Sequence, residues 1–230
     1  MPKNSSPKHL RFAVLAADIA LFTIHNKELL VRIMKVNHIP HFVDRPGLPG
    51  GLMLPTETAE QAVVRLVKDR AGMISTKKIH IEQLYTFSRI NRDPRGRVVA
   101  VAYIGLVPWE SLTETEKINT RELSWKHVDQ LSNLAYDHDE VLKVALRRLQ
   151  SRITYTTLMC KLMPKEFTLT ELEQAYESIL KADLDKRNFR KKILKLKILE
   201  RLHHKRIGNR SRPASLYEFK SNKISEIEVL

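Results

Sequence analysis

The sequence predicts an α/β (α+β) fold in two parts, a layered mixed α/β domain followed by a winged helix-turn-helix. Three observations predict it. Up to about residue 150, runs rich in branched apolar residues alternate with amphipathic helical patterns. After that point, three helical segments lead into a hairpin pattern. The charge follows the same division: residues 185–212 hold 12 basic and 2 acidic side chains, within a chain of 230 residues whose net charge is +14.

The elements follow in order. MPKNSSPKHL, residues 1–10, is polar and reads as a flexible tail. LRFAVLAADIALFTI and ELLVRIMKV are strands of a hairpin joined through the polar HNK. NHIPHFVDRPGLPGG, broken by Pro and Gly, reads as irregular. The helix behind it opens on Thr58-Ala-Glu-Gln61, which has capping-box spacing, and closes near Gly72. IHIEQLYTFSRI and RVVAVAYIGLVPW are further strands around the turn Asp93-Pro94-Arg95-Gly96. A short strand is expected around Leu123–Trp125. A helix over 139–151 is expected next, capped by Asp137 or Asp139, with Val141, Leu142, Ala145, Leu146 and Leu149 on one face. TTLMCKLM reads as a short helix. Thr168-Leu-Thr-Glu171 is a second capping box, ahead of a stripe of Leu169, Leu172, Ala175, Tyr176, Ile179 and Leu180. Asp185 caps KRNFRKKILKLK, and ILERLHHKR and ASLYEF flank IGNRSRP as a basic hairpin.

Composition narrows the function. Apolar residues make up 43% of the chain, enough for a packed core, and 7 glycines argue against a disordered or collagen-like chain. The lone Cys160 excludes a disulfide framework within the chain and fits a reducing cytoplasm. The N-terminal stretch lacks a signal-peptide pattern, and no apolar run approaches the length of a membrane span. The basic surplus favours an acidic partner. Double-stranded DNA is the expected one, with no role for a membrane.

On a helical wheel at ~100° per residue, Phe189, Ile193 and Leu196 fall on one side of the segment from Lys186 onward. Arg187 and Lys191 fall opposite, with Asn188, Arg190 and Lys195 on the flanks. Such a helix buries one face and offers guanidinium, amide and ammonium groups to a groove. Lys205, Arg206, Arg210 and Arg212 at the hairpin suit phosphates or a minor groove. The same charges would also suit a merely solvated helix and loop.

The stretch GLPGGLMLPTETAEQAVVRLVKDRAGM, residues 47–73, sets a glycine turn before a helix carrying Glu57, Glu60, Arg65, Lys68, Asp69 and Arg70. A diphosphate hydrolase needs carboxylates on one helix face to hold Mg²⁺ or Mn²⁺. Positions 66, 69 and 70 share a face here and are Leu, Asp and Arg, a poor site for a divalent cation. From residue types alone this is an ordinary amphipathic helix.

The spacing of Gly51, Glu57, Arg65, Gly72 and Met73, behind Leu48–Gly51, nevertheless resembles the Nudix box. The three glutamates of the family's metal helix map onto Leu66, Asp69 and Arg70, while Glu57 and Arg65 match a structural ion pair. RDPRGRVVAVAY and LAYDHDEV resemble segments of ADP-ribose-type Nudix proteins. FTLTELEQAYESIL, LDKRNFRKKIL and RSRPASLYEF resemble the winged helix of Nudix-related transcriptional regulators. The resemblance covers most of residues 11–220 and implies a Nudix-like mixed-sheet α/β/α sandwich over 11–152, a winged helix over 153–220 and a C-terminal tail over 221–230. It implies a homodimeric repressor of NAD-metabolism genes on a palindromic operator. Its effector would be ADP-ribose or a related nucleotide, and no cofactor or metal is expected. Two alternatives stay open: an active hydrolase whose metal rests on Asp69, Glu57 or Glu60, and a regulator that senses a sugar.

Arg95 and Arg97, beside the 93–96 turn, are candidates for diphosphate recognition, with Arg92 a weaker one. Arg45 could reach the same anion. Arg70 either supplies the missing metal's charge or pairs with Asp69 or Glu60. Tyr103 and Phe87 could stack on a base or pack in the core. His138 matches the family's Asp-His pair and could equally cap or pack. His38 with His41, and His203 with His204, lack a second cluster for a metal. Cys160 reads as a packing residue.

Overall fold

The computed structural model describes residues 13–208, 211–227 and 229. Strand β1 (Val14–His25) turns through Asn26 and Lys27, both at positive φ, into β2 (Glu28–His38), as a two-residue hairpin turn requires. β3 (Phe42–Gly47) pairs antiparallel with β2, and β4 (Gly50–Leu52) pairs antiparallel with β1. The stretch read as irregular therefore holds two strands. Pro and Gly are tolerated there because both strands are short and lie at the sheet margin.

Helix α1 (Ala59–Asp69) follows, then β5 (His80–Phe87), β6 (Val98–Leu106), the four-residue α2 (Glu114–Lys117) and β7 (Leu123–His127). β1 runs parallel to β6, β5 pairs antiparallel with β6, and β7 pairs antiparallel with β2. The result is a seven-stranded mixed sheet with the main order β3-β2-β1-β6-β5. Residues Ala16–Thr23 of β1 are buried without a break because both faces of the sheet are covered. Ala17, Ile19 and Leu21 pack with Ala62, Val63, Leu66 and Val67 of α1. Ala20 and Phe22 pack on the other face, with Val141, Leu142, Ala145 and Leu149 of α3 (His138–Tyr155). This is the expected α/β/α sandwich.

A 3₁₀ turn at Leu158–Lys161 leads to α4 (Leu169–Leu180), α5 (Lys186–Lys195) and the hairpin β8 (Leu199–Gly208) and β9 (Ser211–Phe219). The three predicted caps form as read: Thr58 and Thr168 make reciprocal capping boxes with Gln61 and Glu171, and the Asp185 side chain accepts from the Asn188 amide. α3 departs from expectation, since neither Asp137 nor Asp139 caps it through its side chain. The Asp137 carboxylate is taken by Arg92, and that of Asp139 accepts from the Leu134 amide.

No apolar gap separates the two parts. α3 runs through residue 152, and its Leu149 and Ile153 share one core with Phe167, Leu172, Tyr176, Phe189 and Ile193. The Gln150 side-chain amide donates to the Ile179 carbonyl. Part of residues 221–230 also joins this seam. The Ile227 and Val229 amides donate to the carbonyls of Tyr155 and Thr154, and Val229 is buried.

Candidate functional site

A cavity of about 480 Å³ opens where β4, the N-terminal end of α3 and the C-terminal turn of α1 meet. The glycine turn shapes it. A side chain at Gly50 would place its Cβ 2.1 Å from Asp18 Oδ1, so the main chain passes over that carboxylate only because residue 50 has none. Gly51 also lines the cavity, pairing with Ala17 across the β1–β4 ladder. Glu57 and Arg65 hold the box as expected: Arg65 donates to both Glu57 oxygens, at 2.5 and 3.0 Å, and to the Leu52 carbonyl. Those hydrogen bonds keep the Glu57 carboxyl below its ordinary pKa against a smaller desolvation effect. Gly72, at φ +70, ends the helix in the left-handed region.

A buried ionic cluster forms part of the cavity wall. Arg92 bridges Asp18, at 3.0 Å, and Asp137, at 2.6 Å. The Leu48 amide donates to His138 Nδ1 at 2.9 Å, leaving Nε2 facing Asp18 at 3.7 Å. Burial pushes the Asp18 carboxyl towards protonation, but His138 and Arg92 outweigh it and its pKa falls below the ordinary value. Arg92 lines the cavity, and its ion pairs with Asp18 and Asp137 give it a structural role there.

At the mouth, Arg95 pairs with Asp93 at 2.7 Å and lies over the Tyr136 ring, 5.2 Å from its centroid. The Tyr136 hydroxyl meets His38 Nδ1, and Phe42 packs edge-on against the same ring. Tyr136 sits at φ +57, an uncommon conformation for a non-glycine residue. The His38 proton affinity is lowered by burial first, then by Arg95, with Arg70 adding to it and Asp93 opposing.

Of the five residues expected at a ligand, Arg70 and Arg95 line this cavity. Arg45 is exposed on β3, paired in register with Val36, and does not line it. Arg97 donates through Nη1 to the Ser88 and Arg89 carbonyls and does not line the cavity. Tyr103 is 2% exposed and belongs to the α1-side core, because its position on β6 points to the opposite face of the sheet. Phe87 is core as well. The sequence reading missed Tyr136 and His38 as cavity walls and Asp18 as the anchor. Asp18 had one visible signal, as an acid inside an otherwise apolar strand.

The metal chemistry of a Nudix box does not fit these side chains. Leu66 is buried and apolar, Arg70 is a cation at the mouth, and the Asp69 carboxylate lies 3.8 Å from Arg65 and does not line the cavity. Among the described residues, no group of three or more His, Cys, Asp or Glu side chains is placed to hold a metal ion.

In the second part, Phe189 and Ile193 bury the inner face of α5, with Leu196 packed beside them. Arg187, Asn188, Lys191 and Lys195 are exposed. Lys186 is exposed too, its Nζ 3.8 Å from Glu173. Arg190 corrects the wheel reading. It turns inward to α4, 3.3 Å from the buried Glu173 carboxylate and 3.0 Å from Thr170 Oγ1, because that carboxylate has no hydrogen-bond partner among the described residues. Lys205 is exposed, whereas Arg206 is tied to Glu171 and to the Glu166 carbonyl. Arg210, and the side chain of Arg212, lie outside the described residues. No described helix is long and apolar enough to cross a membrane.

Two family models match this chain, one after the other. One described as NUDIX domain covers residues 14–149, and one described as NrtR DNA-binding winged helix domain covers residues 159–219. The chain is similar to the "ADPR responsive transcriptional repressor NtrR" of Acinetobacter baylyi, at 29% identity over 210 residues, 90% of this chain and 82% of that one. It is 31% identical over 129 residues to an ADP-ribose pyrophosphatase of Methanocaldococcus jannaschii, 56% of this chain and 73% of that one. Its fold matches Shewanella oneidensis NrtR complexed with a 27mer DNA at TM-score 0.77 and 29% identity, covering 90% of this chain and 93% of that chain. The NUDIX domain of the same protein complexed with ADP ribose matches at TM-score 0.53 and 29% identity, covering 64% and 94%.

Proposed function

The chain belongs to the Nudix family and carries an NrtR winged helix behind its Nudix domain, and from this premise we propose that it is an ADP-ribose-responsive DNA-binding transcriptional repressor. The observation that carries the reading is the cavity at the Nudix box, where Leu66 and Arg70 stand in place of metal-binding acids. A sensor must release its ligand intact, so a box without its metal acids suits sensing. α5 then offers Arg187, Asn188, Lys191 and Lys195 to the major groove, and Lys205 meets phosphate. We assign the protein to the cytoplasm, as a homodimer on a palindromic operator near genes of NAD metabolism, with the functional division near residue 152.

Release of DNA requires ADP-ribose to bind the DNA-incompetent state more tightly, by ~1–3 kcal/mol for a 5–150-fold change in affinity. A mobility-shift assay on DNA upstream of the protein's own locus and its neighbours tests this. The expected outcome is a specific complex that ADP-ribose dissolves. Unchanged operator affinity at saturating ADP-ribose would remove the effector assignment.

The likeness to a pyrophosphatase keeps a second reading in play, a Nudix hydrolase with an accessory basic domain. Turnover of ADP-ribose with Mg²⁺ or Mn²⁺, lost in Asp69→Ala, would favour it over the sensor.

A further inference from the structure

We propose that Arg70 takes the place of the divalent cation of a Nudix hydrolase, so that the effector's diphosphate is held by guanidinium groups directly and without metal. This rests on the effector reading above and adds how the ligand is held.

The box helix delivers two residues to the cavity from the positions where the family carries metal acids, Leu66 and Arg70. Arg70 has no ion pair and no side-chain hydrogen bond among the described residues, because Asp69 lies towards Arg65 instead. Its five N–H donors are therefore available. Across the mouth, Arg95 uses Nε and Nη2 on Asp93, while Nη1 has no partner among the described residues. Both guanidinium groups line the same cavity, together with His38.

The acids that line the cavity are committed elsewhere. Asp18 is held by Arg92 and His138, and Asp93 by Arg95. A divalent cation entering here would meet repulsion from Arg70 and Arg95 and find no carboxylate without a cation of its own. A diphosphate would meet planar forks that match its oxygens. A guanidinium also leaves water unactivated, which is consistent with release of the ligand intact.

Calorimetric titration of the full chain with ADP-ribose tests the proposal, once in EDTA and once in Mg²⁺. Wild-type affinity is expected to agree within about twofold between the two conditions. Arg70→Ala is expected to bind at least tenfold more weakly in both, and Arg70→Lys, which keeps charge but not the fork, to fall between. Arg70 is exposed, so circular dichroism of both variants should match the wild type. Wild-type binding that requires Mg²⁺, or full affinity in Arg70→Ala, overturns the proposal while leaving ADP-ribose as effector. A wild type that binds no ADP-ribose in either buffer overturns the effector reading and this proposal together.

Discussion

Asp18 shows how one side chain ties the cavity at the Nudix box to the core. It is 5% exposed and lies under Gly50, with Arg92 from 74 positions away and His138 beside it. Removing its charge leaves Arg92 with Asp137 alone, and breaking a buried pair costs about 3 kcal/mol. Asp18→Asn should therefore lower stability by about that amount at neutral pH. The folded-state pKa lies below the ordinary value of 3.8, so between the two values the unfolded chain binds more protons than the folded one. The stabilisation is complete above the unfolded value and is lost as pH falls through the folded one. Urea melts of both proteins across this range should converge in acid, and a constant gap would show that the charge is not the cause. Little of this cluster was legible in the sequence, because Asp18, Arg92 and Asp137 meet only once the sheet has formed. Arg95 was legible, since turn chemistry marks its neighbourhood. Tyr136 was not, because its left-handed backbone and its ring partners are tertiary facts.

At the scale of elements, local chemistry was the most readable. Both capping boxes, the Asp185 cap and the apolar stripes of α4 and α5 depend on neighbours three or four residues apart. β3 and β4 escaped because Asp44, Arg45, Pro46 and the glycines resemble a loop, and only the partner strands β2 and β1 make them strands. Arg190 escaped because a helical wheel gives direction but not the buried Glu173 that waits there. The N-terminal turn of α4 also has a second use. Glu171 accepts from the Thr168 amide at 2.7 Å and also holds Arg206 of β8. Glutamine serves equally in a capping box, so Glu171→Gln keeps the helix start and releases the arginine. Operator affinity should rise several-fold at low salt, and the gain should vanish when Arg206→Ala is added. No gain in the single variant would mean that Arg206 does not reach DNA.

For the whole molecule, the division into two parts was legible from charge and pattern, but the way they join was not. The sequence has no linker at the junction, and the structure continues one apolar core from the sheet into the winged helix. Calorimetry should therefore record one unfolding transition. At 100 times its dissociation constant, ADP-ribose adds about 2.7 kcal/mol and should move that single transition up by roughly 5–11 °C. Two transitions, with only the first responding, would mean that the parts melt separately. The 18-residue α3 spans this seam, with His138 at the cavity and Gln150 and Ile153 against α4. At ~1.5 Å per residue it is a stiff lever of about 27 Å, so a tilt of about 5° at the cavity end would sweep the far end by roughly 2 Å. With a shared core at that far end, such a sweep would carry α5 along as one body. In the homodimer proposed above, the bending would fall to the contact between two copies, and a shift of that size would change the spacing of the paired α5 helices relative to the DNA groove.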